Sequence, residues 1–175
     1  MTDQMRDKIQ QQIKQSVEAA EGLYHRLVLL VGEFGSGKSY VLRNIAQEFG
    51  TSVININLLL SNELLELTAK QRSLQLPTAL DKIIDKAQTP LVLDNLEILF
   101  DKELKQDPLR LLQGISRNRV IVASWNGIFT GGRLSYAENG HPEYRIYDSV
   151  DVMIVSMDGT ATIESTKNNT EVGQA

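Results

Sequence analysis

The chain has 175 residues, 42% of them hydrophobic and 23% charged, with a formal net charge of −4. That length and balance suit one globular domain with a real core. The lack of cysteine excludes disulfides, thiolate zinc sites and cysteine nucleophiles, and the two histidines, His25 and His141, lie too far apart for a local metal motif. No apolar run approaches the roughly 18 residues that a membrane span needs. The polar N-terminus MTDQMRDKIQQQ is no secretory signal, so a cytoplasmic protein without a membrane partner is expected. A negative total charge gives no global attraction to nucleic acid, so DNA contact would need a local basic patch or an assembled ring.

Met5, Ile9, Ile13, Val17 and Ala20 recur at spacings of four and three, which predicts an amphipathic helix over 3–20 with one narrow apolar stripe. Such a helix either packs on the flank of the domain or docks a partner. Residues 1–21 therefore form an N-terminal helical segment, 22–157 the main domain, and 158–175 a polar, Thr/Asn-rich tail expected to be mobile.

Leu27 to Val31 is a short, continuous apolar run, as expected of a strand buried on both faces. Directly after it, Gly32 to Ser39 reads GEFGSGKS and fits the pattern G-x-x-x-x-G-K-[ST] at every constrained position. The candidate phosphate-binding segment is Gly32, Glu33, Phe34, Gly35, Ser36, Gly37, Lys38, Ser39 and Tyr40. Its glycines let backbone N–H groups turn inward around an anion. Lys38 would reach the β- and γ-phosphates, and the Ser39 hydroxyl would hold Mg²⁺. Val41, Leu42, Ile45, Ala46 and Phe49 then recur at helical spacing up to Gly50, and the positive end of that helix faces the loop. Strand, glycine loop and helix stand in the order that the motif requires.

A second strand is predicted near Val53–Asn57, then helices over 62–71 and 77–86 separated by Ser73–Leu76, with Pro77 at a first helical position. Thr89-Pro90 breaks the pattern, and Leu91-Val92-Leu93 forms a third strand. Asp107 caps a short helix with Pro108 at its first position. Val120–Ser124 and Val152–Met157 are the fourth and fifth strands. This alternation predicts an α/β fold: about five mostly parallel strands with helices on both faces.

Asp94 closes the third strand. A carboxylate there is costly unless paired or coordinating, which makes it the candidate Mg²⁺ support. Many P-loop ATPases of the additional-strand class carry a glutamate at the next position; this chain has Asn95, whose amide can position a water but cannot take its proton. Glu97 could substitute if the chain bends after the strand, and is otherwise a surface residue of the turn. At the end of the fourth strand, Asn126, with Ser124 second, fits the polar sensor of AAA+-type ATPases; the alternative is an Asn-Gly turn. Arg133, between two glycines and the next strand, is a candidate arginine finger toward a neighbouring subunit, as are Arg117 and Arg119; each could equally solvate the surface or meet DNA phosphates.

The segments LVLDNLEILF (Leu91–Phe100), DPLRLLQGISRNR (Asp107–Arg119) and VIVASWNG (Val120–Gly127), together with the P-loop in so short a chain, resemble the BrxF family of type 3 BREX (bacteriophage exclusion) systems. The resemblance runs from about Tyr24 to about Met157. It implies an additional-strand, AAA+-like P-loop NTPase core without a C-terminal helical lid, binding ATP and Mg²⁺ and acting with other BREX proteins. It carries over the P-loop residues for ATP, Asp94 for Mg²⁺ and Asn126 as sensor. With no lid, the base would be held loosely or by a neighbouring subunit; Tyr24 and His25, just before the first strand, either line the base or pack in the core. Three functional classes follow: an assembly ATPase, homo-oligomeric or partnered, with DNA contacted directly or through the complex; a nucleotide-gated adaptor with little turnover; and a small kinase, for which no phosphoacceptor pocket is evident.

Overall fold

The computed structural model describes residues 1–163. Its core is a sheet of five parallel strands: β1 (Leu27–Gly32), β2 (Val53–Asn55), β3 (Leu91–Asp94), β4 (Ile121–Thr130) and β7 (Met153–Ser156). They lie in the order β2-β3-β4-β1-β7. Strand β4 is therefore inserted between the strand that leads into the phosphate loop and the strand that ends in Asp94. This is the additional-strand arrangement, and it places three strand ends beside one another at the same edge of the sheet.

Two apolar layers sandwich the sheet. One face carries α3 (Ile56–Leu64), α4 (Ala69–Ile84) and α5 (Pro108–Ile115), packed on Leu27, Leu29, Leu91, Leu93 and Ala123. The other carries α1 (Asp3–Ala20) and α2 (Lys38–Phe49), packed on Val28, Leu30, Val92, Val122 and Val155. The strands are apolar on both sides because both faces are covered. The N-terminal helix uses the predicted stripe: Ile9, Ile13, Val17 and Ala20 are buried in this second layer, so α1 packs on the flank of the domain.

Several local expectations are corrected. The helix expected over 62–71 instead straddles the end of α3 and the start of α4, and the helix expected from Pro77 starts earlier, at Ala69, because Thr68 and Gln71 form a reciprocal capping box and α4 then runs through Pro77. A separate helix, α3, begins at Ile56, capped by the Asn55 side chain. β4 does not stop at Ser124 but continues through Asn126-Gly127 to Thr130, so the Asn-Gly pair is strand, not turn. Gly127 is required there, since a Cβ would fall 1.8 Å from the Ser135 carbonyl oxygen of the facing strand. The extension pairs antiparallel with β5 (Arg133–Tyr136), which pairs with β6 (Arg145–Tyr147), two strands that the sequence reading missed.

The start of the polar segment expected as a mobile tail is fixed. The Ser156 N–H donates to Thr160 O, Ala161 bridges to Val155, and the Gln12 amide of α1 donates to Gly159 O. Residues 164–175 lie outside the described part. Among the described residues no helix is long and apolar enough to cross a membrane.

Candidate functional site

The phosphate loop joins β1 to α2 at the C-terminal edge of the sheet. Gly35 and Gly37 have φ of 78° and 97°, a region that only glycine enters freely, and these two residues turn the chain around the loop. The N–H groups of Lys38, Ser39 and Tyr40 open α2 and have no partner within their own helix.

Lys38 is only 6% exposed. Its ammonium donates to the carbonyls of Gly32 (2.9 Å) and Glu33 (2.8 Å) and, at 3.4 Å, to the Ser36 hydroxyl. Among the described residues it forms no ion pair. Burial pushes its pKa down to about 8, against the pull of Asp94, Glu97 and Glu33. A buried cation held only by neutral oxygens, beside the N–H groups that open α2, is a cradle for an anion.

Asp94 is buried at the end of β3 and gathers three donors. Ser39 Oγ donates to its Oδ2 at 2.6 Å, Ser124 Oγ to its Oδ1 at 2.6 Å, and the Asn95 N–H to Oδ1 at 2.9 Å. Ser124 reaches it because β4 lies directly beside β3. The pairing of Ser39 with Asp94 sets side by side the two oxygens that would ligate a metal. Mg²⁺ suits such a site, since it takes one or two protein oxygens and completes its shell with phosphate and water.

Past Asp94 the chain bends sharply. Asn95 sits at φ 55°, which asparagine tolerates better than glutamate does. That conformation gives a physical reason for Asn rather than Glu at this position. The bend starts a 3₁₀ turn, Glu97–Phe100, and swings the Glu97 carboxylate back over the strand ends. There Asn57 Nδ2 donates to Glu97 Oε2 at 2.6 Å and Asn126 Nδ2 to Oε1 at 2.9 Å. Asn57 is itself fixed, its Oδ1 accepting from the Ile98 N–H at 2.8 Å. Glu97, Asn95 and Asn126 thus line the same cavity, of about 340 Å³, as Lys38, Ser39, Tyr40 and Asp94.

Asn57 was not picked out from the sequence. An asparagine two residues past a short strand carries no motif, and only the β2–β3 pairing, Asn55 opposite Asp94, brings it near. Aromatic packing behind the cavity fixes the spacing of Glu97 and Asn126. Phe100 stacks on Tyr136 with ring centroids 3.3 Å apart and meets Trp125 edge-on at 5.1 Å. Burial, with the charges of Glu97 and Glu143, pushes the Tyr136 phenol well above its usual pKa. A second cavity of about 650 Å³ shares Phe34, Glu97 and Asn126 with the first and is walled by β4, β5 and the loop through His141.

Other candidates lie elsewhere. Arg133 is exposed on the β4–β5 hairpin and pairs with Asp148 at 3.0 Å, outside both cavities. Glu33 and Phe34 stand exposed at the tip of the phosphate loop. Tyr24 and His25 sit at the opposite end of β1 from the loop: His25 Nδ1 lies 3.2 Å from Gln113 O, and Arg117 covers the Tyr24 ring. That position rules them out as base contacts of the same protomer. Arg119 pairs with Asp85 and Arg110 with Asp107, so these cations do not form an unpaired basic patch.

The model of the ATPase family associated with various cellular activities (AAA) matches residues 28–122, more than half of the chain. The chain belongs to the AAA ATPase family. The match spans the phosphate loop, Asp94 and the first part of β4, so the AAA assignment and the geometry rest on the same residues. Among solved structures, PCH-2 of C. elegans is similar over 88% of this chain and 40% of that chain, at 16% identity and a TM-score of 0.40. The AAA domain described here thus spans less than half of that protein. No curated protein matches the chain.

Proposed function

We propose that this AAA domain binds ATP with Mg²⁺, hydrolyses it, and works within a multi-protein bacterial antiphage complex of the BREX type. The observation that carries the nucleotide chemistry is the convergence of Lys38, the Ser39–Asp94 pair and the doubly held Glu97 on one cavity. The loop amides and Lys38 bind the phosphates, with Lys38 exchanging its carbonyl partners for phosphate oxygens. Ser39 and Asp94 hold the metal, which when bound shields phosphate charge and polarises the phosphoryl oxygens. Glu97 accepts a proton from the attacking water, and Asn126 orients that water or the terminal phosphate. Asp94 keeps its position through Ser124.

The BREX assignment rests on the segments Leu91–Phe100, Asp107–Arg119 and Val120–Gly127. Partner proteins of that system, a homo-oligomer and DNA contacted directly or through the complex belong to the same reading. Arg133, exposed on its hairpin, would have to leave Asp148 to act as a finger toward a neighbouring copy.

A nucleotide-gated adaptor with little turnover is the second reading, and Asn95 in place of a glutamate after Asp94 favours it, because an amide cannot take a proton from water. Light scattering with and without Mg²⁺–ATP and duplex DNA, followed by turnover on the same samples, separates the two. An assembly that forms with ATP and hydrolyses it supports the ATPase. A monomer that binds ATP without turnover supports the adaptor.

A further inference from the structure

We infer that the purine base of the bound nucleotide packs on a shelf formed by Tyr40 and the Arg6 guanidinium, so that the beginning of α1 completes the nucleotide site. This rests on the proposed ATP reading and adds the part of the site that recognises the nucleoside.

The direction of the ligand follows from the sheet. Asp94, Glu97 and Asn126, which define the reacting end, come from β3, the turn after it and β4. In the order β3-β4-β1-β7 these lie on one side of the phosphate loop, and β7 lies on the other. Helix α1 packs against β7, β1 and α2. A triphosphate with its terminal phosphate at Asp94 therefore sends its nucleoside away from β4, toward α2's outer face and the beginning of α1.

The surface met there is already ordered. The Arg6 Cζ lies 4.8 Å from the centroid of the Tyr40 ring, a cation–π pair between α1 and α2. Asp3, one turn earlier, ion-pairs with Arg6. Tyr40 stands at the third position of α2, lines the nucleotide cavity and is 45% exposed. Met157, just past β7, supplies an apolar edge: its methyl lies 3.8 Å from the point where a Cβ on Gly37 would stand. Ile9 and Ile13, both fully buried, anchor α1, so the platform is built on a rigid element.

The chemistry suits a base. A guanidinium and a phenol ring both stack on planar π systems, and the guanidinium adds N–H donors for purine ring acceptors. Asp3 offsets the Arg6 charge, which makes the pair a stacking surface more than a phosphate contact.

Calorimetric affinities for ATP and for inorganic tripolyphosphate, measured on wild type, Arg6→Ala, Tyr40→Ala and Tyr40→Phe, test the shelf. Tripolyphosphate has the phosphate chain but no base, and its binding shows that a variant is folded. The expected result is a loss of about tenfold in ATP affinity for each alanine variant, the size of one base–aromatic stacking contact. Tripolyphosphate binding should fall less than ATP binding in both alanine variants, and Tyr40→Phe, which keeps the ring, should lose less ATP affinity than Tyr40→Ala. Equal losses for both ligands, or no loss for ATP, overturn the shelf and leave the phosphate site standing. Wild-type protein that binds neither ligand removes the ATP reading, and the shelf with it.

Discussion

Asn57 holds Glu97 from a position that no motif announces, and its removal tests whether the clamp is a real interaction. Asn57→Ala deletes a 2.6 Å hydrogen bond to a carboxylate and a 2.8 Å bond from the Ile98 N–H. The first contributes about 1.5–3 kcal/mol and the second about 1 kcal/mol when sheltered. Both groups are half-buried, so the expected loss is about 2 kcal/mol of folding stability. For a chain of this size that lowers Tm by roughly 4–8 °C. The pairwise part comes from a double-mutant cycle of Asn57→Ala and Glu97→Ala, read by urea denaturation. Asn126 still holds the other oxygen of Glu97, and Asn57 still accepts from Ile98 in the Glu97 variant, so the coupling isolates one contact. It should be about 1–2 kcal/mol. Additive losses, within about 0.5 kcal/mol, would refute the clamp and leave Glu97 an ordinary turn residue.

Lys38 gives a pH signature. Its folded pKa of about 8 lies below the ordinary value of 10.5, so the unfolded chain binds more protons between these two pH values. Without ligand, the penalty for burying the charge is full below pH 8 and vanishes above 10.5. Stability should therefore rise across that window by on the order of 2 kcal/mol, after allowing for water at the loop. Urea midpoints of wild type and Lys38→Met should diverge there; parallel curves would contradict the buried ammonium. Gly127→Ala forces a Cβ to within 1.8 Å of the Ser135 carbonyl oxygen, so the hairpin must open and thermal denaturation should show a loss of about 3 kcal/mol. An unchanged Tm would mean that β4 and β5 do not pair as described. Glu97→Gln should bind ATP normally and lose at least about a hundredfold in turnover, the usual effect of removing a general base. Turnover at the parental rate would put the base elsewhere.

The fold was legible where both faces of an element are buried. Leu27–Val31, Leu91–Leu93 and Val120–Ser124 read as strands because helices cover both sides, and α1 and α2 kept their stripes for the same reason. The phosphate loop and Asp94 were legible because their chemistry constrains residue type at fixed spacing. The antiparallel strands β5 and β6 were hidden. They are short, with exposed residues alternating, and Asn126-Gly127 imitates a turn when its glycine is there for a close approach of Ser135. Pro77 misled in the same way, since a capping box upstream carries α4 through it. Asn57 could not be read at all, because its importance arises from the pairing of β2 with β3.

The most direct test is a calorimetric titration of ATP, with and without Mg²⁺, into wild type, Lys38→Ala and Asp94→Asn. Wild type should bind ATP more tightly with Mg²⁺. Lys38→Ala should lose at least about tenfold, the scale of a charge-assisted contact to phosphate. Asp94→Asn should bind ATP but lose the gain from Mg²⁺. Wild-type protein that binds no ATP, or binding that survives Lys38→Ala unchanged, would contradict the account.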